Sequence, residues 1–253
     1  MHLLHSTIVF TLLAASAVNL HAEQEQDAVH HWSANVGLTS DYLFRGMSRS
    51  AEDPAVQGGL DYSYRPIGFY AGVWASSIEF DSQSSDDAST EIDIYAGFGG
   101  SFANDVDWKL GGVYQYFPGQ NADHPAGDFD FFELQGALSY EFKHALITPI
   151  ISTEFAYSPD YFGEDGDSIY LAGSFRVSLP RSLSFYSKLG YLDVAGGQTI
   201  SEGYDYAHYK IGLERALGPI TLDLSWNDAQ DDCERVASDD YCDAAVFNVS
   251  TAW

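Results

Sequence analysis

Charged side chains recur in this chain at alternate positions of stretches whose other positions are apolar. They are Asp61, Glu91, Asp93, Asp107, Lys109, Glu133, Glu141, Glu154, Arg176, Lys188, Lys210, Glu214 and Asp223, with His208 among them. Successive side chains of an extended strand point to opposite faces, so these residues share the face opposite the apolar ones. If that face lines a lumen, nine carboxylates meet four cations there. An open passage so lined favours cations. The same charges could instead pair into a structural network that plugs the interior, as in narrower barrels.

Other chemistry is weakly represented. His208 is the only histidine well inside a predicted strand, on the inner face beside Lys210. A lipid-modifying enzyme needs a nucleophile and a base at the barrel wall or rim, and no GxSxG or comparable motif occurs. His208 therefore reads as a member of a lumenal hydrogen-bond network, and no catalytic residue is expected. The loop Pro159 to Asp167 carries Asp160, Glu164, Asp165 and Asp167, oxygen ligands suited to Ca²⁺ but without EF-hand spacing. It reads as a solvated acidic loop, as do Asp231, Asp232, Asp239, Asp240 and Asp243. No metal and no cofactor is expected. Tyr161 and Phe162 could fold inward as a constriction, but the lipid interface is the expected place for a single loop aromatic.

The elements that must position these charges follow from the alternation. The last ten residues place Trp253, Thr251, Val249, Phe247 and Ala245 on one face and smaller or more polar residues on the other. The same pattern begins at His30, with Trp32, Ala34, Val36 and Leu38 on one face, and runs through Thr39 to Arg45. It returns over 55–64, 69–80, 91–101, 106–116, 130–142, 147–157, 169–177, 183–191, 207–213 and 220–226. The stretch 69–80 is apolar on both faces, so its inward side is left open. Twelve strands result, each near the roughly 9–11 residues a tilted strand needs to cross a bilayer. Tight turns at Arg65-Pro66-Ile67-Gly68, Asn104-Asp105, Lys143-His144-Ala145, Leu179-Pro180-Arg181-Ser182 and Ala216-Leu217-Gly218-Pro219 alternate with long polar loops.

Composition agrees. The 253 residues carry a net charge of -26, 15% aromatic residues, 17 Tyr, 16 Phe and 23 Gly. Such acidity excludes nucleic acid as a partner, because phosphate binding needs Lys and Arg clusters. Residues 1–22 read as a secretory signal peptide with an apolar core from Leu3 to Val18, although no Lys or Arg precedes it. Residues 23–30 form a short periplasmic segment and 31–253 the barrel. In an oxidising compartment Cys233 and Cys242 are expected to form a disulfide within one loop.

The expected fold is all-β: a transmembrane antiparallel up-and-down β-barrel of about twelve strands, with short periplasmic turns and long acidic extracellular loops. Its localisation is the cell outer membrane. The terminal strand, through Phe247, Val249, Thr251 and Trp253, resembles the assembly signal of outer-membrane barrels. Expected partners are the membrane lipid and lipopolysaccharide, the barrel-assembly machinery, and small cations or polar solutes.

Two segments carry a family resemblance. SANVGLTSDYLFRGMSRS, followed by DPAVQGGLDYSY and GFYAGVWASS, resembles the opening of the TorF-type porins, outer-membrane proteins long catalogued as conserved hypotheticals. SPDYFGEDGDSIYLAGSF is similar to a later loop and strand of that family. The resemblance spans the mature chain and implies a membrane barrel with a transport role. It brings no catalytic residues, and the cysteine pair is not associated with it. The expected function is a narrow diffusion channel favouring cations or small polar solutes. The alternatives are a closed barrel whose acidic loops serve surface interactions and, less favoured, a lipid-modifying enzyme.

Overall fold

The computed structural model describes residues 29–80, 88–102, 105–120, 128–143, 147–197, 202–230, 233 and 242–253. The signal-peptide region, and Asp231, Asp232, Asp239 and Asp240, lie outside the described residues. The wall consists of β1 (His30–Thr39), β4 (Ala55–Tyr64), β5 (Phe69–Ser77), β6 (Thr90–Ser101), β7 (Val106–Tyr116) and β8 (Phe131–Glu141). It continues through β9 (Pro149–Ser158), β10 (Ser168–Leu179), β11 (Leu183–Val194), β12 (Tyr204–Leu217), β13 (Ile220–Ala229) and β14 (Asp243–Ala252). Each strand pairs antiparallel with its neighbour in sequence, and β14 returns to β1 to close the ring.

Period-two patterning dictates which face is which. Leu38, Leu60, Leu110, Leu189 and Leu224 each expose half or more of their surface, all pointing outward. Their inward neighbours in the wall are polar and buried, among them Gln57, Ser76, Gln115, Ser139, Ser152 and Ser225. A barrel apolar outside and polar inside is the inverse of a soluble one, and suits hydrocarbon. Outward aromatics gather near both rims: Tyr114, Tyr191 and Tyr209 at the long-loop end, Trp32, Phe98 and Trp253 at the short-turn end. In β5, where sequence left the orientation open, Trp74 and Ser76 are buried inward and Val73 is exposed outward.

The first strand is shorter than expected. The first strand does not continue to Arg45; it stops at Thr39, whose hydroxyl donates to the Asp41 carbonyl at 2.6 Å. The chain then forms a small hairpin, β2 (Leu43–Phe44) and β3 (Met47–Ser48), outside the barrel sheet. Arg45 (φ 53°) and Gly46 (φ 88°) form its tip, the pair of positive φ values that a two-residue type I′ turn requires. The barrel itself begins at His30.

The closing seam is the shortest junction in the wall. Pairing of β1 with β14 runs only from Asn35–Ala252 to Thr39–Asn248, whereas β1 pairs with β4 along its whole length. Reciprocal backbone bonds between Ala34 and Trp253, at 2.9 and 3.0 Å, extend it by one step.

Candidate functional site

The fourteen residues singled out in the sequence stand at strand positions that alternate with the exposed apolar ones and are buried or of intermediate exposure, but their surroundings differ sharply between the two ends. At the long-loop end the hairpin crosses the lumen. Arg49 forms an ion pair with Glu91 of β6 at 2.6 Å and donates to Gln115 of β7 at 2.8 Å. Arg45 pairs with Glu133 of β8 at 2.8 Å. The tip reaches the far wall, where a Cβ on Gly46 would stand 2.6 Å from the Cβ of His208. Only glycine fits there, because positive φ and close approach coincide.

The hairpin is tied at its base as well. Asp41 accepts hydroxyl bonds from Ser48 at 2.6 Å and Ser50 at 3.0 Å, and Tyr42 donates to Glu91 at 3.0 Å. Burial pushes the Asp41 carboxyl above its ordinary range, and those two hydroxyls offset only part of the rise. Burial alone would lower both guanidiniums, yet the carboxylates beside them hold Arg45 and Arg49 above their usual values. Both therefore act as permanent cations.

Aromatic rings seal this end. Phe80, Phe117, Phe129 and Phe162 pack on one another with centroids 4.5 to 6.4 Å apart, and Phe131 meets Tyr161 edge-on at 4.8 Å. Arg49 lies 3.7 Å over the Phe44 ring and Arg45 4.2 Å over that of Tyr170. Tyr161 and Phe162 thus sit inside the mouth; the expectation that they face lipid is corrected. The reason is that two buried guanidiniums offer their rings cation–π partners.

Beneath this plug Glu91, Asp93 and Glu133 have no exposed surface. Three carboxylates face two arginines, and among the described residues neither oxygen of Asp93 has a hydrogen-bond partner. These three residues belong to the plug's seat. Asp61, Asp107, Lys109, Glu141, Glu154, Arg176, Lys188, Lys210 and Asp223 retain intermediate exposure, while Glu214 and His208 are buried.

Toward the short-turn end, tyrosines lie flat on the wall. Tyr95 of β6 lies over Gly72 of β5 and donates to Asp61 of β4 at 2.5 Å. Tyr186 of β11 covers Gly212 of β12 and donates to Asp223 of β13 at 2.6 Å. In each case the missing side chain of the glycine lets a ring lie against the sheet instead of projecting across the lumen. Pairs of opposite charge complete the lining: Lys188 with Glu154 at 2.6 Å and Arg176 with Glu214 at 3.2 Å. His208 joins Tyr170 through Nε2 at 3.0 Å, within the hydrogen-bond network. Cys233 and Cys242 form a disulfide, with Cα atoms 6.0 Å apart.

Sequence reasoning missed Arg45, Arg49, Tyr42 and Gln115, which hold the plug, and Tyr95 and Tyr186, which line the wall. The available signal was two arginines in one short loop of a chain with only 11 basic residues. The wall tyrosines were legible as inward positions opposite glycine.

Residues 23–253 match the family described as bacterial proteins of unknown function, Gcw_chp. The chain belongs to that family. No curated protein matches it in sequence. Among solved structures, the KdgM porin is similar at a TM-score of 0.53 and 8% identity, over 87% of this chain and 98% of that one. The NanC porin is similar at a TM-score of 0.51 and 8% identity, over 88% of this chain and 98% of that one. At such identity the likeness is one of fold: a closed twelve-stranded antiparallel barrel.

Proposed function

We propose that this Gcw_chp protein is a diffusion channel of the bacterial outer membrane, gated by its own first loop. The observation that carries the reading is the inverted barrel, with apolar side chains outward and a charged, tyrosine-lined lumen inward. The fold it shares with the KdgM and NanC porins and the resemblance to TorF-type porins support it. Lumenal charge favours small cations and polar solutes: counting Arg45 and Arg49 with the four lumenal cations, nine carboxylates still exceed six positive groups. Lipid and lipopolysaccharide surround the barrel, and the terminal strand with Phe247, Val249, Thr251 and Trp253 serves its assembly. The remaining inward charges line the path below the plug.

Complete burial of Glu91, Glu133 and Phe117 favours a second reading, a permanently closed barrel whose loops serve surface contacts. Single-channel current through the refolded chain under a KCl gradient separates the two. Discrete steps with a reversal potential on the cation side are expected. Silence from protein shown to be folded by its heat-shifted gel mobility would overturn the channel reading.

A further inference from the structure

Lys188 of β11 and Lys210 of β12 stand directly opposite each other in the strand register, both on the lumenal face. Like charges so placed repel, and such pairs destabilise a sheet unless something compensates them. Lys188 is compensated by Glu154 at 2.6 Å. Lys210 has no such close partner: among the described residues no ion pair reaches it, and Asp223 and Glu214 attract it only from beyond contact distance. The hydrogen bonds of the nearby carboxylates go to other groups. Asp223 accepts from the Tyr186 hydroxyl at 2.6 Å and from Asn248 Nδ2 at 2.9 Å, and Glu214 takes Arg176 at 3.2 Å. Lys210 Nζ sits 5.6 Å from the centre of the Tyr186 ring, on a residue of intermediate exposure.

We propose that Lys210, backed by Lys188 and the face of Tyr186, is a binding position for the carboxylate group of a small solute inside the lumen. The inference rests on the channel reading, since the solute must enter. An ammonium presents a point charge, which one carboxylate oxygen satisfies without the bidentate geometry of a guanidinium site. The surplus of lumenal carboxylates repels phosphate and other multiply charged anions. It tolerates a single carboxylate, above all one on a zwitterion whose ammonium is drawn to the same surplus. Small monocarboxylates, amino acids included, are the class that fits.

The chain's only lysines are Lys109, Lys143, Lys188 and Lys210, so ¹³C-dimethylation, which keeps the charge, gives one NMR signal for each. The refolded full barrel in micelles is titrated with sodium acetate, with sodium chloride at matched ionic strength as the reference. Lys210, assigned by the signal lost in Lys210→Arg, is expected to shift saturably with acetate. Lys143, exposed on a turn beside Asp105, should follow ionic strength alone. A Lys210 signal that moves no more than that of Lys143 overturns the site. In bilayers, acetate should reduce the current, and Lys210→Gln should weaken that block roughly tenfold, the scale of one charge-assisted hydrogen bond. Block unchanged in the variant also overturns the site. Saturable binding without any current retains the site and sinks the channel.

Discussion

Replacing Arg49 by methionine should release the plug. The substitution keeps the length of the side chain and its contact with Phe44 but leaves Glu91, which has no exposed surface, as an uncompensated charge. Removing one partner of a buried ion pair costs about 3–5 kcal/mol. The wall strands hold one another through their own ladders, so the hairpin, anchored by Arg45–Glu133 and a few hydroxyl bonds, is the element that yields. At about 1.4 kcal/mol per decade, the population with the hairpin outside the lumen should rise by about two to three and a half orders of magnitude. Trypsin reads this directly, because Arg45 remains a cleavage site and is reachable only when the hairpin has left. The folded wild-type barrel should resist nicking at Arg45, and Arg49→Met should be nicked at a rate that follows the open population. Adding Glu91→Gln should restore resistance, because no buried charge is then left alone. If Arg49→Met stays as resistant as wild type, or the double variant is nicked as fast as the single one, the ion pair does not hold the plug.

Further outcomes follow from the same geometry. Acid should tighten the plug: burial raises the Asp41 carboxyl above its ordinary 3.8, so the seated hairpin binds a proton more strongly than the released one. Stability therefore rises as pH falls through that raised value, and channel open time should shorten unless Asp41 is replaced by Asn. Asp93→Asn replaces a fully buried carboxyl whose two oxygens accept no hydrogen bond among the described residues, and should raise the thermal midpoint of the folded barrel in a heat-shift gel series. Gly212→Val would displace the Tyr186 ring from the wall into the lumen, and single-channel conductance should fall while heat-shifted mobility persists. Leu224→Lys on the outer face should cost about 2–4 kcal/mol in lipid, and Ser225→Lys on the inner face less, as measured by urea unfolding in bilayers. Equal costs would refute the assignment of faces.

The strands and their two faces were legible because membrane strands obey a strict period of two, visible in each residue's neighbours. Leu224 and Ser225 show it at its simplest. The hairpin was not legible for the opposite reason. Thr39 to Arg45 continues the alternation, and what bends it inward is the attraction of Arg45 and Arg49 for Glu133 and Glu91, residues 88 and 42 positions away. Local pattern cannot register such a partner. For the same reason β5 was ambiguous: Trp74 is large and apolar yet faces inward, in edge contact with Tyr42 of the plug at 5.4 Å. The charges on the inner face were identifiable one at a time. Their division into a sealed seat and a wetter lining required the three-dimensional position of the first loop.

The short seam has a mechanical meaning. A ring of antiparallel ladders under lateral load parts where the fewest hydrogen bonds act in parallel, which is between β1 and β14. That is also where the plug is rooted, since the hairpin leaves directly from the end of β1, and Ser40 there exchanges bonds with the backbone of Phe247 at 2.9 Å in each direction. Lateral pressure from the surrounding bilayer, or a change in its thickness, would act first on this junction and through it on the hairpin. The zipper that completes the wall is therefore also the hinge post of its door.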